Sequence, residues 1–190
     1  MSKRKILAIA IIAIIGAMTV GCTSAYFAMS GRAHSIITTS GVAIELIEDT
    51  EAEGNDGRPV PFTNIEGAMA GERISKIPKI RNLDESEVYV RMKLIAHVEL
   101  ANGSINKISP NAFDLDISRS WSPKNGYYYY LYPLASGETT RALFTTVVIP
   151  KTATNNKYQG AKYTLTIKAE AVQTAHNGTD PLEAQGWPGE

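Results

Sequence analysis

The chain reads VYVRMKLIAHV over residues 88–98, and this stretch decides its fold class. Every second residue from Val88 to Val98 is apolar, and four of the five positions between them hold Tyr89, Arg91, Lys93 and His97. A period of two predicts a β-strand with one buried and one solvated face, as in an antiparallel sheet. An α-helix would distribute the same apolar residues around its whole circumference.

The same alternation recurs along the chain and predicts an antiparallel β-sandwich. Turn-rich segments separate these stretches, among them residues 53–57, Asn102-Gly103 and residues 136–138, and no long helical pattern is present. Many short strands with such punctuation are typical of sandwiches. The further predicted strands are Val42–Leu46, Tyr127–Tyr132, Leu143–Ile149 and Tyr163–Ala171.

Three local features extend this prediction. Residues 108–117 fit either a short helix capped by Ser109-Pro110 or a strand. The four tyrosines 127–130 lie on a strand, so two of them should face the core and two the surface. Residues 178–190 are rich in Gly, Pro and acidic side chains, and we expect a flexible tail apart from any docking by Trp187.

The N-terminus has the three parts of a secretory signal. A basic patch at residues 3–5 precedes an apolar run from Ile6 to Val20, and small residues follow up to Ala25. The apolar run is shorter than the roughly 20 residues of a membrane-spanning helix. We therefore predict a cleaved signal peptide over residues 1–25 and a secreted protein, with an uncleaved membrane anchor as the alternative.

Two processing sites compete at the end of this signal. Thr23-Ser24-Ala25 fits the small-x-small rule, which predicts cleavage between Ala25 and Tyr26. Cys22 is also similar to the acylated cysteine of a bacterial lipoprotein, although Thr19 stands where such proteins usually have an aliphatic residue. Cleavage after Ala25 is the favoured interpretation, and lipidation at Cys22 would instead tether the protein to a membrane.

Charge and cysteine content narrow the function classes. The chain has 19 basic and 19 acidic residues, and loss of the signal leaves 16 basic residues against 19 acidic ones. No overall basic field then attracts nucleic acid or an anionic membrane. The single cysteine, Cys22, lies in the signal, so the mature domain has no disulfide. We expect one β-sandwich domain over residues 41–177 that depends on its core for stability.

No residue pattern indicates catalysis or a cofactor. The three histidines, His34, His97 and His176, are far apart and match no metal-binding motif, although His97 and Glu99 share one strand face. No serine occupies a nucleophile motif. The acidic pair Asp114 and Asp116 remains open as a glycosidase pair, and the tyrosines near Trp121 as a glycan-stacking surface. We expect no catalytic, metal-binding or cofactor-binding residues.

Three stretches resemble the TasA and camelysin family of exported Gram-positive proteins. They are Ala25-Tyr26-Phe27 followed by residues 40–46, the segment Gly71–Lys76 with Asn82 and the strand after it, and Asn156-Lys157-Tyr158-Gln159-Gly160 before the last strand. The likeness runs to about residue 177 and is patchy between residues 100 and 146. It implies a jelly-roll β-sandwich, cleavage by a dedicated signal peptidase, and a place in the extracellular matrix or at the cell surface.

The resemblance also implies a homo-polymer in which an N-terminal strand of one subunit completes the sheet of the next. Residues 26–40 contain two apolar stretches, with Tyr26 and Phe27 in one and Ile36 and Ile37 in the other, and we expect them to have no partner within the chain. A free strand and an open sheet edge form the two halves of β-augmentation. Repeated without closure, this contact produces a fibre.

The main prediction is thus a structural subunit of a biofilm-matrix or cell-surface fibre, with a possible accessory or anchoring matrix protein as partner. Two alternatives remain. One is a camelysin-like surface metallopeptidase, for which the chain shows no zinc motif. The other is a lipid-anchored extracellular binding module attached through Cys22.

Overall fold

The computed structural model describes residues 34–39, 41–63, 65, 70–150 and 161–188, and these form an all-β protein. Every strand pairing among them is antiparallel. The strands are β1 (His34–Thr39), β2 (Val42–Glu53), β3 (Pro59–Pro61), β4 (Arg73–Ser75), β5 (Ile77–Asn82), β6 (Val88–Glu99), β7 (Ile105–Ile108), β8 (Asp114–Leu115), β9 (Trp121–Lys124), β10 (Tyr127–Tyr130), β11 (Thr146–Val148) and β12 (Lys162–Gln173). Two 3₁₀ turns occupy Pro110–Ala112 and Pro181–Glu183.

The strands form three sheets. In the first sheet, β2 is central and pairs with β5 along one edge. Along its other edge β2 pairs first with β1 and then, nearer its C-terminal end, with β3. In the second, the order is β12-β6-β10-β9, and β7 also pairs with β6. The third is a short β4-β11-β8 sheet. The longest ladder joins β6 to β12 over all 12 residues of each strand, so these two strands form the largest part of the second sheet.

The inward faces of the sheets share one hydrophobic core. The alternation that predicted β6 is confirmed, because Val88, Val90, Met92, Leu94, Ala96 and Val98 are all at most 6% exposed. They pack with Ile44 of β2, Leu165 of β12 and Val147 of β11 in a single cluster. Burial of each large apolar side chain contributes about 1.5–3 kcal/mol, so this core is the main source of stability for the fold.

The outer face of β6 differs from its prediction as a solvated face. Tyr89 is 3% exposed and Arg91 is 1% exposed, because the C-terminal tail packs over this end of the strand. Pro181, Ala184 and Trp187 of the tail are buried. The docking by Trp187 that the sequence left open is therefore present, and Pro181 and Ala184 are buried with it.

Two local predictions have clear outcomes. Residues 108–117 combine both alternatives, since Ser109 caps the 3₁₀ turn at Pro110–Ala112 and the chain then enters β8. The tyrosines divide two and two as predicted, with Tyr128 and Tyr130 at the main core and Tyr127 and Tyr129 at the cluster under the tail. The pair predicted to face the surface is thus covered by the tail.

Candidate functional site

Ile36 and Ile37, two of the residues predicted to act in polymerisation, lie on β1. This strand pairs with β2 of the same chain over six residues, from His34 opposite Ile47 to Thr39 opposite Val42. The expectation that this segment has no partner within the chain is therefore wrong for residues 34–39. Only two residues, Ser40 and Gly41, connect the strands, and Gly41 has a φ of +78° that glycine adopts without strain.

β1 is an edge strand with an amphipathic pattern. Ile37 is partly buried against the core opposite Ile44, whereas Ile36 is 73% exposed opposite Glu45. Among the described residues, β2 is the only strand that pairs with β1, so within this part of the chain the other edge of β1 has no strand partner. Such an edge is a template for pairing with another chain.

The remaining predicted site residues lie outside the described residues. Cys22, Ala25, Tyr26 and Phe27 belong to this group. Signal cleavage, lipidation and the first half of the donor segment therefore stay predictions. Among the described residues, no helix has the length and apolar character needed to cross a membrane.

The polar residues considered for catalysis are not gathered into one site. His97 and Glu99 line a shallow cleft of about 240 Å³ with Ile105 and Thr164, and the described residues contain no group of three or more metal-ligating side chains. Asp116 accepts hydrogen bonds from the backbone N–H groups of Thr145 and Thr146 and from the Thr145 hydroxyl.

These contacts give Asp116 a structural role as a clamp on the chain before β11. Partial burial raises the pKa of Asp116, but the hydrogen bonds from Thr145 and Thr146 outweigh burial and hold that pKa below its usual value.

The aromatic residues considered for glycan stacking are largely buried. Trp121 packs against Tyr130 with ring centroids 5.1 Å apart, and both side chains belong to the main core. Tyr129 is 4% exposed beneath the tail. Side chains in these positions do not present the open ring faces that a sugar stacks on.

A buried ion pair that sequence reasoning missed joins Lys76 to Glu48 of β2. The Lys76 ammonium lies 2.6 Å from the Glu48 carboxylate, and the two side chains are 0% and 4% exposed. The Lys76 nitrogen also lies 4.0 Å from the ring centre of Phe62. Burial raises the pKa of Glu48 and lowers that of Lys76, and the opposing charge only partly offsets each shift.

A second buried cation, Arg91, holds the tail against the outer face of the second sheet. Its Nε donates to Glu170 at 2.7 Å and an Nη donates to the Tyr129 hydroxyl at 2.9 Å. The guanidinium lies 3.9 Å from the Tyr127 ring and 4.3 Å from the Trp187 ring. Such a cation between two aromatic faces fixes the position of the tail.

Lys124 adds a polar contact to the tail. Its ammonium donates to the Leu182 carbonyl and to the Glu183 carboxylate, and the hydrogen bond to Glu183 raises the pKa of Lys124. The tail is thus bound by side chains of β6, β9 and β10 rather than by strand pairing.

Comparison of the chain with known proteins gives no further assignment. No family model matches it, and neither a curated protein nor a solved structure matches it. The geometry of the described residues therefore carries the functional conclusion, and its most distinctive feature for assembly is the exposed edge strand β1.

Proposed function

We propose that this protein is a secreted structural subunit of an extracellular fibre, in which β1 of one copy replaces β1 of the next. The proposal includes a cleaved signal peptide and a jelly-roll sandwich, as the resemblance to the TasA-like proteins implies. Removal of residues 1–25 leaves the segment from Tyr26 to Ser40 as a free N-terminal arm. Each copy would bind an arm and supply one, which produces an open polymer.

The position of β1 at the sheet edge is the observation that carries this proposal. Among the described strands β1 pairs only with β2, it lies at the N-terminal end of the described chain, and a two-residue connection joins it to β2. Exchange requires only that this ladder opens, and the same six residue pairs form again with β2 of another copy. The exchanged state therefore keeps every contact of the hairpin, which makes swapping a low-cost route to assembly.

The connection between the strands favours opening. It is only two residues long, and Gly41 allows the chain to straighten because glycine is free in φ and ψ. Once the hinge is extended, the arm leaves its own β2 and reaches a second copy. Ile37 then supplies the apolar anchor next to Ile44, and Ile36 stays on the outer side.

The test compares the mature chain, residues 26–190, with a variant that lacks residues 26–40. Electron microscopy should show fibres for the first and none for the second. Fibres from the shortened variant would contradict strand exchange, and monomers of the mature chain at every concentration and pH would contradict the fibre.

Peptide addition separates loss of assembly from loss of folding. A synthetic peptide of residues 34–40 should bind the shortened variant with a 1:1 stoichiometry and stabilise it without polymerisation. The matched control is the same peptide with Ile37→Asp, which should not bind because it would place a carboxylate against the core. Equal binding of both peptides would contradict the proposed register.

Mass spectrometry of the N-terminus of the native protein tests how the chain is processed. Cleavage after Ala25 liberates the arm, whereas acylation at Cys22 tethers it to the membrane. A mature chain that begins at or near Tyr26 supports the proposal, and an acylated Cys22 would instead favour the lipid-anchored alternative.

A further inference from the structure

Four lysines share the outer face of the β7-β6-β12 part of the second sheet. The core-facing positions of β6 are the even-numbered residues from 88 to 98, so Lys93 projects outward, and its partner across the ladder is Lys168 of β12. Lys162 lies on the same face of β12, and Lys107 of β7 lies opposite the outward position 97. We refer to Lys93, Lys107, Lys162 and Lys168 as the lysine face.

The charges of the lysine face are not neutralised within the described part of the chain. None of the four lysines has an ion pair there, and three of them are exposed. The fourth, Lys93, is half-buried, and its Nζ lies 4.6 Å from the centre of the Tyr127 ring. The carboxylate of Glu170 on the same face is bound by Arg91, so Glu99 is the acidic residue left beside Lys162. Two like charges directly across a ladder oppose sheet formation, as Lys93 and Lys168 do.

A complementary surface lies in the loop that precedes β6. This acidic loop contains Asp84, Glu85 and Glu87, of which Glu85 and Glu87 are exposed. Leu83 at its start is 40% exposed, and the lysine face has its own apolar side chain in Ile105, which is 67% exposed. The two surfaces therefore match both in charge and in the presence of one exposed aliphatic residue.

The acidic loop and the lysine face are separated along the same strand. The loop ends at Glu87, just before β6, whereas Lys93 lies midway along β6, and Lys107 and Lys162 pair near its end. At about 3.3 Å per residue, Glu87 is roughly 20 Å from Lys93 and roughly 40 Å from the last residue of β6. The loop of one copy therefore does not reach its own lysine face, and a second copy can supply the complementary charge.

We propose that the lysine face binds the acidic loop of a second copy of this chain. This contact adds a charge-dependent interaction to the fibre that the proposed function describes, but its existence does not require strand exchange. A contact between two different surfaces is heterologous, so it repeats from copy to copy as a head-to-tail polymer does. Opposite charges across such a contact fix the register and speed up association.

The test is a charge swap in the full mature chain, with self-association measured by sedimentation velocity at low and high salt. Lys93→Glu with Lys168→Glu should weaken the salt-sensitive association by about tenfold or more, and so should Glu85→Lys with Glu87→Lys. The four changes combined should restore it, because each surface then carries the opposite charge.

The matched control is Arg119→Glu with Arg141→Glu, which changes the net charge by the same amount at two exposed arginines outside the lysine face. This control should leave the association unchanged, and an equal loss would show that net charge alone is responsible and would overturn the proposal. Failure of the combined variant to recover, with thermal unfolding like that of the parent, would also overturn it.

Two further outcomes separate this contact from other assignments. If the lysine variants lose binding to polyphosphate while self-association stays the same, the face binds an anionic polymer and the proposal is wrong. If fibres are absent but salt-sensitive association follows the charge swap, strand exchange fails and the lysine-face contact stands.

Discussion

Removal of one partner from the buried Lys76–Glu48 pair should strongly destabilise the fold. In Lys76→Met, the Glu48 carboxylate stays in a position that is 4% exposed and loses the ammonium 2.6 Å away. A buried carboxyl without a partner takes up a proton rather than remain charged. With an ordinary pKa of about 4.3, the protonation of Glu48 at pH 7 costs about 3.7 kcal/mol, similar to the roughly 3–5 kcal/mol typical of broken buried pairs.

The two single variants should respond to pH in opposite directions. In Lys76→Met, folded Glu48 holds a proton that the unfolded chain releases above about pH 4.3, so stability falls by about 1.4 kcal/mol per pH unit as pH rises from 5 to 7. In Glu48→Gln, loss of the carboxylate removes the charge that offset burial, so the pKa of folded Lys76 falls further, while the unfolded chain keeps its proton up to about pH 10.4. Stability of this variant should therefore rise with pH over the range 7–9.

Urea unfolding of the mature chain between pH 5 and 9 measures both effects. Lys76→Met combined with Glu48→Leu should recover most of the lost stability, because a well-packed apolar pair replaces a buried ion pair at little cost. The matched control is the exposed Arg58–Asp56 pair, which is 3.8 Å long and has side chains that are 85% and 64% exposed, so Arg58→Met should lower the free energy of unfolding by about 1 kcal/mol or less. Equal, pH-independent losses at Lys76 and Arg58 would refute the reasoning.

Two other stability predictions follow from the tail and from the clamp before β11. Trp187→Ala should lower the free energy of unfolding by about 3–5 kcal/mol, because it removes a side chain that is 3% exposed against Tyr129, and an unchanged urea midpoint would show that the tail does not pack there. Asp116→Asn should cost about 1 kcal/mol at pH 7, since charged acceptors for Thr145 and Thr146 become neutral. The lowered pKa of Asp116 means that its contribution is present above the ordinary aspartate pKa and disappears as pH falls through the lower folded value. The difference between wild type and Asp116→Asn should thus vanish in acid, and a constant difference down to pH 2 would contradict the clamp.

The strands could be predicted from the sequence because their side chains alternate. Val88–Val98 has period two over its full length, and the structure confirms both the strand and its inward side chains. The turn at Asn102-Gly103 could also be predicted, and Gly103 adopts a φ of +80°, which glycine tolerates. In these places local chemistry and tertiary structure agree.

The missed features depend on contacts between distant residues. Arg91 looks like a solvated residue in its own strand, and only the tail, some 90 positions later in the chain, buries it against Trp187. Lys76 and Glu48 give no sequence signal as a pair, because 28 residues separate them and both residue types are usually exposed. β1 was expected to be unpaired because its apolar residues do not reveal that β2 folds back onto them.

The central claim, that β1 exchanges between copies, is tested most directly by a disulfide across the β1–β2 ladder. Ile36 and Glu45 are directly opposite, and the Cα separation of such pairs, about 4.5–5.5 Å, suits a disulfide. The mature chain has no cysteine of its own once residues 1–25 are removed, so a pair introduced at these positions can bond only with itself or with a second copy.

The measurement is a non-reducing gel of fibres assembled from Ile36→Cys with Glu45→Cys and then oxidised. The matched control is Glu99→Cys with Ile105→Cys, another cross-strand Glu–Ile pair, which lies within one copy on β6 and β7. Strand exchange predicts a covalent ladder of multimers for the first variant and monomers for the second. Monomers from both variants would show that β1 stays on its own β2 and would contradict the account.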